Sequence, residues 1–431
     1  MPMSQRTRTG HESENTSVDS LNESNDAGGS LKDQRKLLLK MARALITFGA
    51  PSHKIVDCAQ DMIELSDLKG FVEYNFEGMR FFVSKPPHPA YTVVQVRANE
   101  GIFLGACEDS LRILQWVMSG DMSIKDATDS LNALLTEPAH FESWLYQPLY
   151  ALTSSFLAVF AFGGSWYDMG PAFLLGGFIK VVQNKFQSRV PWARDISAVF
   201  VTTFCAHAFA SLGHGELFSY APVAMSAIVS VLPGYTCLIA TRELTHPSSR
   251  IVGASHLFNS LFKVVLFGYA TQLASSLWKK VNSDPHPAIR SPSALVVDPK
   301  FALLLAPLTL ILSCVRGGSR LRQIPVQVLV ASAAYLVQRI VHVHTTDSRL
   351  AMMAGAFTLG VLGNVCALVC NRSAFTSMVI GVQLLVPGGM SLDNELVFVN
   401  DMLKLVVPLM VGLLLSALVF SWRRSRIAFL Y

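Results

Sequence analysis

The sequence predicts a polytopic α-helical membrane protein of about ten transmembrane helices, arranged as two inverted repeats of five helices each. A small α+β cytosolic domain and a disordered N-terminus precede the membrane region. Three observations support this fold class: a composition that is 51% hydrophobic and only 15% charged, a series of apolar runs in the second two-thirds of the chain, and a Pro-Gly motif that occurs twice. An average soluble protein carries about 25% charged residues.

The N-terminal third has the composition of a tail followed by a soluble domain. Residues 1–32 contain almost no aliphatic side chains, so they cannot bury enough surface to offset the entropy of ordering and are predicted to be disordered. Residues 33–140 combine leucines at helical spacing with two strand-like segments, "GFVEYNFEGMRFFVS" and "YTVVQVRA". These patterns predict a soluble α+β domain over residues 33–140.

Ten apolar runs follow, and most approach the roughly 20 residues that a helix needs to cross about 30 Å of hydrocarbon. The first repeat is expected over residues 146–277 and the second over 300–421, with a loop at 278–299 and a basic tail at 422–431. The predicted spans are 146–163, 169–183, 196–212, 217–235, 254–277, 300–315, 323–343, 350–370, 374–388 and 401–421.

Basic residues indicate how the chain is oriented in the membrane. If the N-terminal domain is cytosolic, the loops after the second, fourth, sixth and eighth spans and the tail hold most of the membrane-proximal Lys and Arg residues. The loop at 278–299 is also basic, but it is long, and the positive-inside bias concentrates in short loops. We therefore expect both termini in the cytosol, in the plasma membrane or an endomembrane. The net charge of +5 is modest and indicates no nucleic-acid partner.

The Pro-Gly motif belongs to an internal repeat. Each copy has a Pro-Gly pair, then Glu-Leu, and then an Asn four residues before a Lys, in "NSLFKVV" and "NDMLKLV". This pattern predicts a broken helix, an acidic turn, and a helix with Asn-x-x-x-Lys near its start. The residues are Pro233, Gly234, Glu243, Asn259 and Lys263 in the first copy and Pro387, Gly388, Glu395, Asn400 and Lys404 in the second.

Inverted repeats with helices interrupted at matching positions are typical of secondary transporters. A broken membrane helix has unpaired backbone groups, which are tolerated only inside protein or facing a water-filled cavity. Half-helix ends carry partial charges of both signs and would suit a zwitterion such as an amino acid. The ten repeat residues, together with His207 in the third span, are the candidate substrate and coupling residues. Asn364 is a counterpart of His207 in the second copy.

Each candidate also has a purely structural interpretation. Pro-Gly can simply end a helix, Lys263 and Lys404 can extend to the membrane surface, Glu243 and Glu395 can cap helix ends, and His207 can be a packed, hydrogen-bonded histidine. The sequence leaves both interpretations open. His53 and Asp57 lie one turn apart and are expected to form a surface pair. The seven cysteines have no metal-binding spacing and are expected to be buried thiols.

The stretch "ARALITFGAPSHKI", followed by an α+β segment and ten helices with "LPG" and "VPGG" signatures, resembles the threonine/serine exporter family. The resemblance is to its fungal branch, the pheromone-regulated membrane proteins, and covers roughly residues 33–425. Residues 49–53 match the Gly-Ala-Pro-(Ser/Thr)-His signature. The resemblance implies a cytosol-facing N-terminal domain and a ten-helix exporter of small hydroxy amino acids, coupled to protons.

The sequence thus favours a transporter whose partners are a small polar solute, protons and the lipid bilayer. We expect no enzyme, because no nucleophile is paired with His53 and Asp57, and no cofactor, because no cofactor motif is present. The alternative is a non-transporting membrane organiser or regulator of mating or cell fusion, working through its cytosolic domain. Whether the protein forms a homo-oligomer stays open.

Overall fold

The computed structural model describes most of the chain after the N-terminal tail. The predicted tail, the Pro387-Gly388 pair and the predicted basic tail at 422–431 lie wholly or mostly outside it. The described residues are 29–66, 69–75, 78–84, 91–98, 101–137, 143–186, 191–212, 217–246, 248–282, 297, 299–370, 373–385 and 395–421.

The N-terminal part contains four helices and a sheet in the described residues. The first helix begins at Gly29, inside the segment that was predicted to be disordered up to residue 32, and ends before Gly49, whose φ of +78° suits glycine. The elements are α1 (Gly29–Thr47), α2 (Ser52–Leu65), β1 (Lys69–Asn75), β2 (Gly78–Ser84), β3 (Thr92–Val96), α3 (Leu104–Ser119) and α4 (Ile124–Thr136).

The sheet confirms the strands that residue alternation predicted. It is antiparallel with order β1-β2-β3, and Phe82 of β2 pairs with Phe71 on one side and Val93 on the other. The opposite face of β2 is buried through Met79, Phe81 and Val83. This face joins the side chains of α1 to α4 in one hydrophobic core, which organises residues 37–131 around a single centre.

The remaining described elements are helices. They are α5 (Ser143–Phe160), α6 (Met169–Lys185), α7 (Pro191–Ser211), α8 (Tyr220–Ile228), α9 (Gly234–Thr245), α10 (Arg250–Val281), α11 (Pro299–Arg316), α12 (Ile324–Thr345), α13 (Ser348–Cys370), α14 (Ala374–Leu385) and α15 (Glu395–Ser421). Among the described residues, α10, α12 and α13 are long and apolar enough to cross a membrane, judged by length and composition. Three further stretches, in α11, α14 and α15, are apolar but shorter.

The structure contradicts the predicted fourth span and the first acidic turn, whereas the second acidic turn, after Pro387-Gly388, lies mostly outside the described residues. Residues 217–235 do not form one helix, because α8 ends at Ile228 and α9 starts at Gly234. Glu243 lies in the last turns of α9, and Glu395 is the first residue of α15. The short segment after Pro233 was interpreted as a turn because it mixes apolar and polar residues. Burial against neighbouring helices instead stabilises residues Gly234–Thr245 as a helix.

Two sets of five helices pack in the same pattern. The first set is α5, α6, α7, α8 and α10, and the second is α11, α12, α13, α14 and α15. In each set the second helix packs against the first, third and fourth helices. The third helix also packs against the fourth and fifth helices, and the first helix packs against the fourth. Between the sets, the two first helices pack together and so do the two fifth helices. Helix α9 stands outside this pattern.

Candidate functional site

A buried carboxylate lies where the N-terminal domain meets the helical bundle. The side chain of Glu243, on α9, is 0% exposed. Its Oε1 accepts the backbone N–H of Ser52 at 3.0 Å, and its Oε2 lies 2.9 Å from Nδ1 of His256 on α10. We call Ser52, Glu243 and His256, with the groups around them, the Glu243 surface.

The carboxylate takes the place of a helix cap. Ser52 is the first residue of α2, and the preceding Pro51 provides no side-chain cap. The first N–H groups of a helix have no partner within the helix, and its N-terminus favours negative charge. Glu243 satisfies one of these N–H groups from another part of the chain, and thereby ties the N-terminal domain to α9.

Close packing of α9 on α10 sets the position of Glu243. A Cβ added to Gly253 of α10 would lie 2.8 Å from the Cβ of Glu243 and 2.8 Å from the backbone nitrogen of Leu244. Glycine at this position therefore lets the two helices approach closely. Ser249 Oγ also donates to the carbonyl oxygen of Glu243 at 3.2 Å, just before α10 begins.

The loop between α1 and α2 makes a second contact with α9. The hydroxyl of Tyr235 donates to the carbonyl oxygen of Gly49. A Cβ at Gly49 would lie 2.2 Å from the carbonyl oxygen of Gly101 and 2.9 Å from the Tyr235 hydroxyl. The sequence segment that carries the family resemblance, Gly49 to His53, is thus the segment that docks on the bundle.

Titratable side chains surround this contact. The ring of His53 lies 5.6 Å from the ring of His246, and His246 Nε2 lies 3.5 Å from Asp57 Oδ2. His53 is buried, so the expected surface pair of His53 and Asp57 is wrong: His53 is covered where the domain meets the bundle. Lys54 is buried too, and burial lowers its pKa to about 8, with Cys58 opposing the shift and Arg242 adding to it.

The domain contacts the other set of helices at a second place, which we call the Arg320 surface. The backbone N–H groups of Leu104 and Gly105, which open α3, donate to the carbonyl oxygens of Gly317 and Gly318 at 2.9 and 3.1 Å. Arg320 donates to Asp109 at 3.0 Å and to both carboxylate oxygens of Glu137 at 3.1 and 2.9 Å. Nearby, Thr376 Oγ1 of α14 lies 3.3 Å from the buried Glu108 of α3.

Glu243 differs from Asp168, whose side chain is also 0% exposed. Both oxygens of Asp168 are occupied by hydrogen bonds: Oδ2 accepts from the N–H and hydroxyl of Ser165, and Oδ1 from the N–H of Ser219. This arrangement joins a turn to the start of α8. Glu243 instead has an ionisable partner, the imidazole of His256 on α10.

The structure does not bring the other predicted residues to Glu243. Pro233 is buried ahead of α9, and Gly234 begins α9, with Val382 of α14 at 3.9 Å from its Cβ position. Asn259 is exposed and Lys263 half-buried on α10, and neither pairs with Glu243. Lys404 is exposed on α15. Glu395 and Asn400 lie on α15 and their side chains are not among those described, while Pro387 and Gly388 lie outside the described residues.

His207 belongs to a separate cluster on α7. Its Nε2 lies 2.9 Å from Ser275 Oγ of α10, and its ring stacks on Tyr220 with 3.7 Å between centroids. Asn364, its counterpart on α13, is 1% exposed, and neither atom of its amide has a hydrogen-bond partner in the part of the chain that the structure describes. The two residues lie at matching offsets from the starts of their helices, but their surroundings differ.

Sequence reasoning missed Ser52, Tyr235, His246 and His256 as parts of the site. Ser52 contributes a backbone N–H, so its residue type gives no indication of the contact. His256 lies beyond a turn from Glu243, so no helical spacing links them. The signal that could have found the site was the coincidence of a Gly-Ala-Pro-Ser-His loop and an isolated Glu after an apolar run.

Comparison with known proteins finds two family models that match the chain. One family model, described as "Putative threonine/serine exporter", matches residues 36–278, and a second, described as "Threonine/Serine exporter, ThrE", matches residues 303–421. The first match extends across both sides of the Glu243 surface. No solved structure matches the chain.

Curated relatives are fungal proteins of greater length. A "Pheromone-regulated membrane protein 10" of Debaryomyces hansenii is 26% identical over 369 residues, covering 84% of this chain and 36% of the relative. That of Saccharomyces cerevisiae is 24% identical, covering 84% and 47%. A protein of Schizosaccharomyces pombe is 25% identical, covering 91% and 56%. The chain therefore spans between about a third and just over half of these relatives. It is a membrane protein that belongs to the threonine/serine exporter family.

Proposed function

We propose that this protein is a proton-coupled secondary transporter that exports small hydroxy amino acids such as threonine and serine. The observation that carries the proposal is the repeated packing pattern of two five-helix sets in a chain of this family. An odd number of crossings per set would invert the second set relative to the first. Inverted repeats of this kind transport by alternating access, through movement of one set against the other.

The contacts of the N-terminal domain support the proposed topology. The domain contacts the helix that follows the fourth span of the first set, the turn between α11 and α12, and the start of α14. Ten crossings would put all three at the same membrane surface as the domain. The loop charges then favour a cytosolic domain and cytosolic termini, in the plasma membrane or an endomembrane.

Proton coupling is proposed for Glu243 with His256 as its partner. A carboxylate and an imidazole 2.9 Å apart can hold one proton or two. When Glu243 binds a proton, it loses the negative charge that caps α2, so the contact with Ser52 weakens. Proton binding would in this way loosen the N-terminal domain from α9, which begins next to α14 of the other set.

The substrate is proposed to bind near the breaks in the two fourth helices. Gly234 opens α9 beside Val382, and the N-terminus of a half-helix favours a carboxylate. Leu385, the last residue of α14, has its carbonyl oxygen held by Gln338 at 3.1 Å. Pro387, Gly388, Glu395, Asn400 and Lys404 stay predictions for the second half, as do Asn259, Lys263 and His207 for the first.

Efflux of preloaded radiolabelled threonine and serine tests the proposal. Cells that overproduce the protein should lose both amino acids faster than cells with an empty vector. The Glu243→Gln variant, compared at equal membrane level, should lose most of the efflux and its dependence on the pH gradient. Asp347→Asn is the control, because Asp347 pairs only locally with Arg349 and with the backbone of the same turn.

Two outcomes would contradict the proposal. Efflux equal to that of cells with the empty vector would exclude export of these amino acids. It would favour the alternative function, a membrane organiser of mating or cell fusion, with which the name of the fungal relatives is consistent. Wild-type efflux and pH dependence in Glu243→Gln would remove Glu243 from coupling. A Glu395→Gln, Lys404→Ala variant tests the second repeat in the same assay.

A further inference from the structure

Two basic side chains converge on one aromatic ring where α5, α6 and α11 meet. The Nζ of Lys180, on α6, lies 4.5 Å from the centroid of the Tyr150 ring, and the guanidinium carbon of Arg316, at the end of α11, lies 4.7 Å from it. Tyr150 is on α5, which packs against both other helices. The site therefore joins the two five-helix sets.

The direction of the Arg316 side chain is fixed. Its guanidinium donates to Gln383 Oε1 of α14 at 2.8 Å. Arg316 directly precedes Gly317, whose carbonyl oxygen accepts the N–H of Leu104 from the soluble domain. The two charges thus lie at the end of the bundle where the soluble domain docks, which the proposed topology puts at the membrane surface.

Neither charge is neutralised within the described residues. Lys180 and Arg316 are half-buried, and neither pairs with a carboxylate there, whereas Arg320 and Arg194 do. An aromatic ring attracts a cation through its quadrupole, but it carries no net charge, so the two like charges still repel each other. An anion that contacts both side chains would reduce this repulsion.

The surroundings indicate which anion. Leu174 and Phe178 of α6 and Leu304 and Leu308 of α11 are large, exposed apolar side chains, as expected for helices that face lipid. Basic pockets between membrane helices at the cytoplasmic surface bind anionic headgroups. We propose that Lys180 and Arg316 bind the phosphate-bearing headgroup of an anionic phospholipid, with Tyr150 holding the two cations in position.

The proposal rests on the proposed membrane orientation but not on transport, so lipid binding is measured without an efflux assay. The full-length purified protein in detergent is titrated with phosphatidylserine and separately with phosphatidylcholine, and the thermal unfolding midpoint is followed. Phosphatidylserine should raise the midpoint and phosphatidylcholine should not. Lys180→Gln combined with Arg316→Gln should weaken the response about tenfold or more, since each basic residue near a membrane surface contributes to anionic-lipid affinity.

Two controls keep the test decisive if the neutral variant folds poorly. Lys180→Arg combined with Arg316→Lys retains both charges and should retain the response. Lys185→Gln, which removes an exposed charge at the end of the same helix, should also retain it. An equal response in the neutral variant would overturn the proposal. A response that inorganic phosphate reproduces would assign the site to a free anion and overturn the lipid assignment.

Discussion

The N-terminal domain meets the bundle at two surfaces whose chemistry differs. At the Glu243 surface the carboxylate is fully buried and contacts a backbone N–H and a histidine. At the Arg320 surface the side chains are partly open to solvent, with Arg320 24% and Glu137 38% exposed. Buried charge pairs are costly to break, whereas exposed pairs contribute little and are screened by salt. Docking on α9 through a buried carboxylate is therefore expected to be firmer than docking through the partly exposed ion pairs of Arg320.

Replacing Glu243 with alanine should have the largest effect. It removes the cap of α2, which is a buried carboxylate, and leaves the half-buried His256 without its partner, at an expected cost of about 3–5 kcal/mol. Hydrogen exchange at residues 49–58 of the purified full-length protein should accelerate strongly, while exchange at β2 should change less. Asp347→Ala is the control, and unchanged protection of Ser52 in Glu243→Ala would refute the assigned role.

Replacing Gly105 with alanine tests how closely the Arg320 surface is packed. The added Cβ would lie 2.5 Å from the carbonyl oxygen of Gly318, so α3 would have to move away, at a cost of about 1–3 kcal/mol. Gly170→Ala is the matched control, because its Cβ would meet nothing within 4 Å and alanine favours a helix by roughly 0.5–1 kcal/mol. A thermal midpoint that rises in both variants would show that the contact is loose.

Replacing Lys54 with methionine tests the pH dependence of the Glu243 surface. Burial lowers the pKa of Lys54 from 10.5 to about 8, so the folded protein binds this proton less tightly than the unfolded chain. The charged lysine therefore lowers stability below pH 8, and this penalty disappears as the pH rises from about 8 to 10.5. Lys54→Met should raise the unfolding free energy by at most about 3 kcal/mol at pH 7, and by less at pH 10. A gain that does not vary with pH would contradict this account.

Replacing Arg320 with alanine should have the smallest effect, about 1 kcal/mol or less. Hydrogen exchange at residues 104–110 should accelerate modestly. The difference from wild type should shrink in high salt, because salt screening weakens half-exposed ion pairs. Arg349→Ala, which removes another partly exposed ion pair, should leave this exchange unchanged. If Arg320→Ala matched Glu243→Ala, the contrast between the two surfaces would be wrong.

Much of the fold could be predicted from the sequence because its patterns are local. Alternating apolar and polar residues predicted β1 to β3. Apolar runs located most of the bundle helices to within a few residues. Helix α9 was missed because the predicted span ends at the Pro-Gly pair and the twelve residues of α9 end in the polar segment Thr-Arg-Glu-Leu-Thr, which resembles a loop. Its limits depend on contacts that a sequence window does not contain.

The candidate site could be predicted in part. Glu243 was selected from the repeat, but its partners come from three other segments: the first residue of α2, the turn before α10, and α10 itself. His53 was assigned to the surface because helical spacing relates it to Asp57 alone. Only the docking of the domain, which brings His246 to both residues, buries it.

Helix α10 links the two ends of the first set. Its 32 residues make a rod about 48 Å long, whereas the hydrocarbon of a bilayer is roughly 30 Å thick. Near one end it carries His256, which contacts Glu243, and near the other it carries Ser275, which contacts His207. One continuous helix therefore connects the Glu243 surface to the His207 cluster.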